Sequence, residues 1–364
     1  MINKTSPLIA EKILSPAAAK IRIDTYIEAL LKERADQATG ISVHYAAAWQ
    51  TISTLYQGGG KRLRPYMTLL TYQAFSNESS EAIIPAAAAQ ELLHQSMLIH
   101  DDIIDRDLIR YGIRNVTGQF YDYYEHLIPE PTERRHFAES AALLAGDLVL
   151  SEAYYQITQS KVPAETIIIA QRLLSESIFH VAGGELLDTE ASFRPRRDID
   201  PLTIAAQKTA SYSFVGPLVM GATLAHAPEE QIALLRDLGN TVGIAFQLRD
   251  DIIGIFGDEA VTGKSTTGDI CEGKQTLLID EFYKRASPEQ QTQFEAVFGK
   301  ADASNEQVQA ARDLLIESGT LAAIEAYIAN YETACIEKLE ALQIDSSHKT
   351  IFAELVTQSL KREK

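Results

Sequence analysis

From residue 22 onward apolar side chains return every three or four positions, as in IDTYIEALLKER, and strict alternation over more than a few residues is rare. That spacing gathers the apolar positions on one helix face, so it predicts helix almost throughout. Long periodic segments run at 22–36, 42–56, 65–76, 85–105, 134–160, 164–190, 201–225 and 228–255, with shorter ones to the C-terminus. Pro65 and Pro85 suit first-turn positions, with Pro65 as the expected first residue of its helix, and Ala-Pro-Glu-Glu at 227–230 sets proline and acidic residues where a helix N-terminus favours them. Breaks fall at GGGKRLRP (58–65), at 106–119, at FRPRRDID (193–200) and at GDEAVTGKSTTGDICEGK (257–274). None reads as an interdomain linker and no repeat of about 20–50 residues is present, so residues 1–364 read as a single all-α domain.

Composition agrees with a globular chain. Of 364 residues 46% are hydrophobic, with only 20 glycines and 12 prolines, which excludes disordered and collagen-like classes. A formal net charge of −17 excludes a nonspecific grip on nucleic acid or anionic lipid, so an anionic ligand must meet a local cationic patch. No stretch reaches the roughly 18 apolar residues of a membrane span. Cys271 and Cys335 lie far apart without metal-ligand spacing, and MINKTSPLIAEKIL lacks a signal peptide's apolar run, so a reduced, cytoplasmic setting is expected.

Two stretches echo each other, HDDIID at 100–105 and RDDIIG at 249–254. On a helix Asp101 and Asp105 stand one turn apart, with Asp102 about 100° around from Asp101. Two unit charges about 4 Å apart repel by roughly 1 kcal/mol in water and about 4 kcal/mol at an effective dielectric of 20, so isoleucine flanks make such a cluster costly without a counter-cation. A solvated acidic face would account for either pair alone. Two of them, each closing a long helix among isoleucines, point to a divalent cation. Oxygen donors without nearby His or Cys favour Mg²⁺, which pairs one or two carboxylates with substrate phosphates. Asp250 and Asp251 form the second set, with Asp258 in the loop beyond. His100 points elsewhere on its helix and reads as a packed or hydrogen-bonded residue, and Asp107 as a bystander.

Against this acidic background GGGKRLRP concentrates Lys61, Arg62 and Arg64 in a glycine-rich turn, where amides and cationic side chains can converge on an anion. It is not a P-loop, since G-x-x-x-x-G-K-[ST] is absent. Lys208-Thr209 sits mid-helix among small and apolar residues, where a lysine needs either a nearby anion or a path to water along its stem. Lys264 and Lys274 lie among glycines and small hydroxyl residues in 257–274, an arrangement suited to a lid.

GGKRLRP (59–65), DDIID (101–105), KT (208–209), FQLRDD (246–251) and GK (263–264) resemble, in order and spacing, the motifs of the trans-isoprenyl diphosphate synthases, or polyprenyl synthetase family, over about residues 40–290. The resemblance implies a bundle of long helices around a deep central cavity, usually a homodimer. It implies that Asp101, Asp102 and Asp105 bind Mg²⁺ on one side of an allylic diphosphate and Asp250 and Asp251 on the other, with two or three ions in all. Lys61, Arg64 and His94 match positions that hold isopentenyl diphosphate. Arg110, Lys208, Gln247 and Lys264 match those around the allylic diphosphate, and Lys274 a lid contact. Thr209, through its carbonyl, and Gln247, through its amide, match the groups that stabilise the allylic cation.

The chain departs from the family pattern at three places. Gly254 stands at the third position of the second aspartate motif. Tyr111 stands where a second arginine is common, leaving Arg114 as a substitute. Glu185 stands where glutamine is common in Gly184-Glu185-x-x-Asp188. The residues four, five and eight before Asp101 are Met97, Ser96 and Leu93, expected to floor the cavity; none is aromatic, which by the resemblance argues against the fifteen-carbon product. The preferred reading is a geranylgeranyl or medium-chain diphosphate synthase. Its competitors are a class I terpene cyclase, which the GGKRLRP loop argues against, and a noncatalytic subunit of a heteromeric synthase, which an intact first aspartate motif argues against.

Overall fold

The computed structural model describes residues 13–198, 200–257 and 268–361. Its elements are α1 (Pro16–Thr39), α2 (Val43–Gln57), α3 (Leu63–Phe75), α4 (Ile84–Ile104), β1 (Ile109–Arg110), β2 (Ile113–Arg114), α5 (Val116–Tyr123), α6 (Pro131–Ile157) and α7 (Ala164–Ala191). They continue with α8 (Pro201–Ile204), a π-helical segment (Ala205–Val215), α9 (Gly216–Leu224), α10 (Glu229–Phe256), α11 (Gly268–Cys271), α12 (Leu277–Arg285), α13 (Pro288–Glu295), α14 (Asn305–Glu317), α15 (Thr320–Ala341) and α16 (Ser346–Leu360). The fold is all-α, and among the described residues the only sheet is the antiparallel β1–β2 hairpin, with Ile109 opposite Arg114. No helix is long and apolar enough to cross a membrane among those residues.

Packing divides the chain into two compact units, Met1–Leu174 with Val219–Pro228, and Ser175–Leu218 with Glu229–Lys364. In the first, α4 is buried nearly all round, with Ala86 to Ala89, Leu92, Leu93 and Ile99 in the core. A helix apolar on every face needs neighbours on every face. Its main neighbour, α6, offers the small stripe Ala138, Ala142, Ala145, Val149 and Ala153. At Gly146 an added Cβ would lie 2.2 Å from His100 Nε2, so the two helices meet at glycine. Ser96 Oγ donates to the Gly146 carbonyl at 2.9 Å, and His100 Nε2 lies 3.4 Å from the Leu143 carbonyl, which fixes the rotation of α4. His100 is thus a packed, hydrogen-bonded residue, as its helical position predicts.

In the second unit α10 packs along the π-helical segment. The Gly216 amide bonds to the Ser211 carbonyl, five residues back. Such segments are rare and usually confined to one turn, so eleven residues of it need support. Close contact supplies it. An added Cβ at Gly243 would lie 2.3 Å from the Ala210 Cβ, and one at Gly239 would lie 2.9 Å from Val215 backbone. Phe214 and Phe246 meet edge to face with centroids 5.1 Å apart.

The structure differs from the periodicity at four places. Helix α1 begins at Pro16 because Ser15 accepts the Ala18 amide, a cap that the alanine run 17–19 hides. Helix α3 begins at Leu63, making Pro65 its third residue. The break expected at 106–119 contains the hairpin and the start of α5, where Asn115 Oδ1 accepts the Gly118 amide and Asn115 Nδ2 donates to the Asp107 carbonyl. The helix expected over 201–225 is three segments with the π-helical stretch at its centre.

Gly243→Ala is expected to lower stability by about 1–3 kcal/mol through overpacking. Gly183→Ala, with nothing within 4 Å of the new methyl, is expected to raise it by about 0.4–1 kcal/mol. Urea unfolding of the two variants reads the opposite signs.

Candidate active site

In the first unit the GGGKRLRP loop is built around Arg62. Its guanidinium is 6% exposed, with Nε 2.7 Å from Asp24 Oδ1 and Nη1 3.1 Å from Glu91 Oε1. It also donates to the carbonyls of Gly59 at 2.6 Å and Tyr56 at 2.8 Å, and lies 3.9 Å from the Tyr56 ring centroid. Arg62 adopts φ 52°, and Gly60 adopts φ 114° with a Cβ position only 2.4 Å from Arg62 Nη1. Only glycine fits there. Of the three cations in the turn, Arg62 faces inward. It turns inward because two carboxylates removed from water require a cation. Lys61 stays exposed, and Arg64 is half-buried in the first turn of α3. Burial and the charges of Arg64, Arg110 and Arg62 hold the His94 imidazole well below its usual range, so it is neutral.

Asp101 and Asp102 close α4 and Asp105 caps it, its amide bonding to the Asp101 carbonyl at 2.8 Å. The hairpin brings Arg110 back onto them, Nε 2.7 Å from Asp102 Oδ1 and Nη2 3.0 Å from Asp101 Oδ2. Asp102 is buried, and burial pushes its carboxyl up to about 6 against the pull of Arg110. Tyr111, at φ 54°, turns the hairpin and lies half-exposed near Gly58. Arg114, the residue that could stand in for the missing arginine, is paired at the surface with Asp122 at 2.8 and 3.1 Å. Asp107 bonds through its backbone, its amide to the Asp102 carbonyl and its carbonyl to Asn115, and its negative charge adds to the upward push on Asp102. Leu93 and Ser96 are fully buried, Ser96 against α6, and Met97 is half-buried.

In the second unit Lys208 and Thr209 ride on the π-helical segment, and α7 meets it at Gly184, where an added Cβ would lie 2.2 Å from the Lys208 amide nitrogen. That approach sets Lys208 Nζ 2.9 Å from Glu185 and 2.6 Å from Asp188. Glu185 therefore gives Lys208 a second carboxylate. Thr209 Oγ1 donates to Gln247 Oε1, and Gln247 Nε2 donates to Asp251 Oδ1 at 2.9 Å. Burial pushes the Asp251 carboxyl up to about 6 against Lys274 and Gln247. Burial pulls Lys274 down, but Asp269, Asp251 and Asp188 outweigh it and hold its ammonium above the ordinary value. Asp188, Lys208, Thr209, Gln247, Asp251 and Lys274 line a small cavity. Lys264 and Asp258 lie outside the described residues.

Each aspartate pair thus has an inner carboxylate, Asp102 or Asp251, that is buried with its proton held unusually tightly. These are oxygen donors that a hard divalent cation would relieve. Among the described residues no three donors converge closely enough to bind a cation alone. Magnesium does not require that, since it completes its shell with waters and substrate phosphates. The donor chemistry fits Mg²⁺.

Sequence reasoning missed the Asp24–Arg62–Glu91 brace, whose members are dispersed along the chain. It noticed Glu185 and Asp188 without connecting them to Lys208. The demand of a half-buried lysine for carboxylates was the available signal.

The family model described as polyprenyl synthetase matches residues 47–315. The chain is 33% identical over 297 residues to the geranylgeranyl diphosphate synthase of Sulfolobus acidocaldarius, covering 80% of this chain and 81% of that one. It is 31% identical over 350 residues to the geranylfarnesyl diphosphate synthase of Aeropyrum pernix, covering 94% and 99%. Among solved structures, the geranylgeranyl pyrophosphate synthase of Corynebacterium glutamicum, complexed with isoprenyl diphosphate and magnesium, matches with a TM-score of 0.84 and 28% identity over 94% of this chain and 99% of that one.

Arg62→Met leaves the buried Glu91 without its cation and Asp24 with Lys20 alone, and is expected to lower stability by about 3–5 kcal/mol. Arg114→Met, breaking the exposed pair with Asp122, is expected to change it by less than about 1 kcal/mol. Guanidinium unfolding compares them.

Proposed function

The chain belongs to the polyprenyl synthetase family, and we propose that it makes an all-trans prenyl diphosphate of geranylgeranyl or medium length. It is a prenyltransferase that joins isopentenyl diphosphate to an allylic diphosphate head to tail and uses Mg²⁺. The carrying observation is the chain's provision for two diphosphates: two aspartate sets, each with a buried carboxylate matched by a cation, and a braced cationic loop that presents Lys61 and Arg64. A class I cyclase handles one diphosphate and has no use for that loop.

In this reading Asp101, Asp102, Asp105, Asp250 and Asp251 carry two or three magnesium ions with the allylic diphosphate. Bound there, magnesium neutralises charge on the departing diphosphate as the allylic C–O bond breaks. Arg110 and Lys208, held ready by Asp101, Asp102, Glu185 and Asp188, meet the same group, with Lys264 and Lys274. Lys61, Arg64 and the neutral His94 hold isopentenyl diphosphate. The Thr209 carbonyl and the Gln247 amide stabilise the allylic cation, and Gln247 is oriented for this by Thr209 on one side and Asp251 on the other. The double bond of isopentenyl diphosphate attacks, and the released diphosphate takes the proton.

Chain length is assigned to Leu93, Ser96 and Met97, none of them aromatic. The fully buried Ser96 is already bonded to Gly146, which leaves Met97 as the more adjustable of the three. A homodimer is supported by apolar exposure along α6, at Phe137, Leu143 and the 61%-exposed Leu144. Free Cys271 and Cys335 accord with a reducing, cytoplasmic setting.

Incubation with Mg²⁺, labelled isopentenyl diphosphate and farnesyl diphosphate is expected to give elongated prenyl alcohols after dephosphorylation. Asp101→Ala is expected to lower that rate by at least about 10²-fold. Release of diphosphate without uptake of label would favour the cyclase instead. Met97→Tyr is expected to shorten the product, and an unchanged product length would remove Met97 from its role.

A further inference from the structure

In FQLRDD the residue two places after Gln247 is Arg249, which has no part in the proposed chemistry. On a helix it stands about 200° around from Gln247 and from Asp251, so it belongs to the opposite side of α10. Gln247 and Asp251 share the front face, joined by their 2.9 Å hydrogen bond. Arg249 works on the back of the helix that carries them.

One guanidinium reaches two helices there. Nη1 and Nη2 donate to Glu325 Oε1 and Oε2 of α15, each at 2.7 Å, and Nε donates to the Leu360 carbonyl of α16 at 2.8 Å. The contact with Glu325 is a two-pronged arginine–carboxylate pair, which fixes direction as well as distance. The contact with Leu360 caps α16, because the carbonyl of its last residue has no partner within the helix and a cation is favoured at that end. The Arg249 side chain is only 17% exposed.

The helices it reaches are themselves fixed. Thr357 and Lys361, at the end of α16, meet Glu332 of α15 at 3.4 and 3.5 Å. Nearer the start of α10, Gln231 accepts the Gln343 amide at 2.7 Å and Asp237 pairs with Lys338. Of these ties to α10, Arg249 is the one beside Gln247. Glu325 and Leu360 both lie beyond the residues 47–315 that the family model matches.

The geometry points to Arg249 as a positioning residue for the reaction: its guanidinium locks the last turns of α10 onto α15 and α16 and so sets the rotation at which α10 presents Gln247 to Thr209. The assignment rests on the role proposed for Gln247. It gives the C-terminal helix pair a part in catalysis although neither helix carries a reacting group.

The test uses the full-length protein with farnesyl diphosphate and labelled isopentenyl diphosphate, well below the melting temperature of every variant, and follows backbone hydrogen exchange in parallel. Arg249→Met is expected to lower kcat roughly 10–100-fold, with KM for isopentenyl diphosphate little changed, and to speed exchange at residues 247–256. Arg249→Lys keeps the charge but cannot grip Glu325 with two parallel bonds and cap α16 as well, and is expected to recover little of the rate. Lys338→Met breaks a tie between the same helices further from Gln247 and is expected to lower the melting temperature with kcat unchanged. Wild-type kcat in Arg249→Met overturns the proposal, as does full recovery by lysine or an equal loss of kcat in Lys338→Met. Should Arg249→Met not fold, Glu325→Gln takes its place, with a smaller loss of kcat expected and wild-type kcat again overturning the proposal. If the wild-type protein incorporates no label, the role of Gln247 fails first, and the exchange decides the lock by itself: faster exchange at 247–256 in Arg249→Met sustains it and unchanged exchange overturns it.

Discussion

A carboxylate taken out of water must be matched by a cation, and this requirement shapes both units of the protein. Asp24 and Glu91 have Arg62, Asp101 and Asp102 have Arg110, Glu185 and Asp188 have Lys208, and Asp251 has Lys274 nearby. Part of the unusual backbone among the described residues lies where these cations are delivered. Arg62 and Tyr111 have positive φ, the β1–β2 hairpin carries Arg110, Lys208 lies in the π-helical segment, and Gly273 turns the chain just before Lys274. Regular helix supplies the carboxylates; irregular backbone supplies the positive charge.

The long helices were legible in the sequence because their apolar faces repeat over several turns, and the aspartate stretches stood out because two of them, each closing a long helix among isoleucines, are costly as solvated faces. The π-helical segment was not legible. In AAQKTASYSF small residues are tolerated at most positions, so the apolar pattern cannot distinguish bonds four residues back from bonds five back. What decides is the glycine contact from α7 and α10, at Gly184, Gly239 and Gly243, and those positions are distant in sequence. Arg62 and Arg64 look alike for the same reason: the partners of Arg62 lie 38 and 29 residues away. Composition identifies a basic loop but not which of its cations faces inward.

Under the proposed function, the pairing also bears on what a diphosphate would meet. Arg110 and Lys208 are not loose surface cations that must be ordered on binding. Each is already fixed by carboxylates, so the rotamer entropy of a long basic side chain, up to about 2 kcal/mol, has largely been lost before any ligand arrives. Gln247 is fixed likewise, between Thr209 and Asp251. Preorganisation of this kind favours interactions that strengthen as charge develops on a leaving group.

The membership of Val219–Pro228 in the first unit has a consequence for biosynthesis. Gly221 on α9 seats against α3, its Cβ position 2.3 Å from the Thr68 carbonyl, so α3 lacks part of its packing until α9 exists. All of 175–218 must leave the ribosome first, which at about 5–20 residues per second delays closure by a few seconds. During that interval the nascent chain shows an unfinished apolar face, and the quality of its folding depends on what shields that face before the last segment arrives.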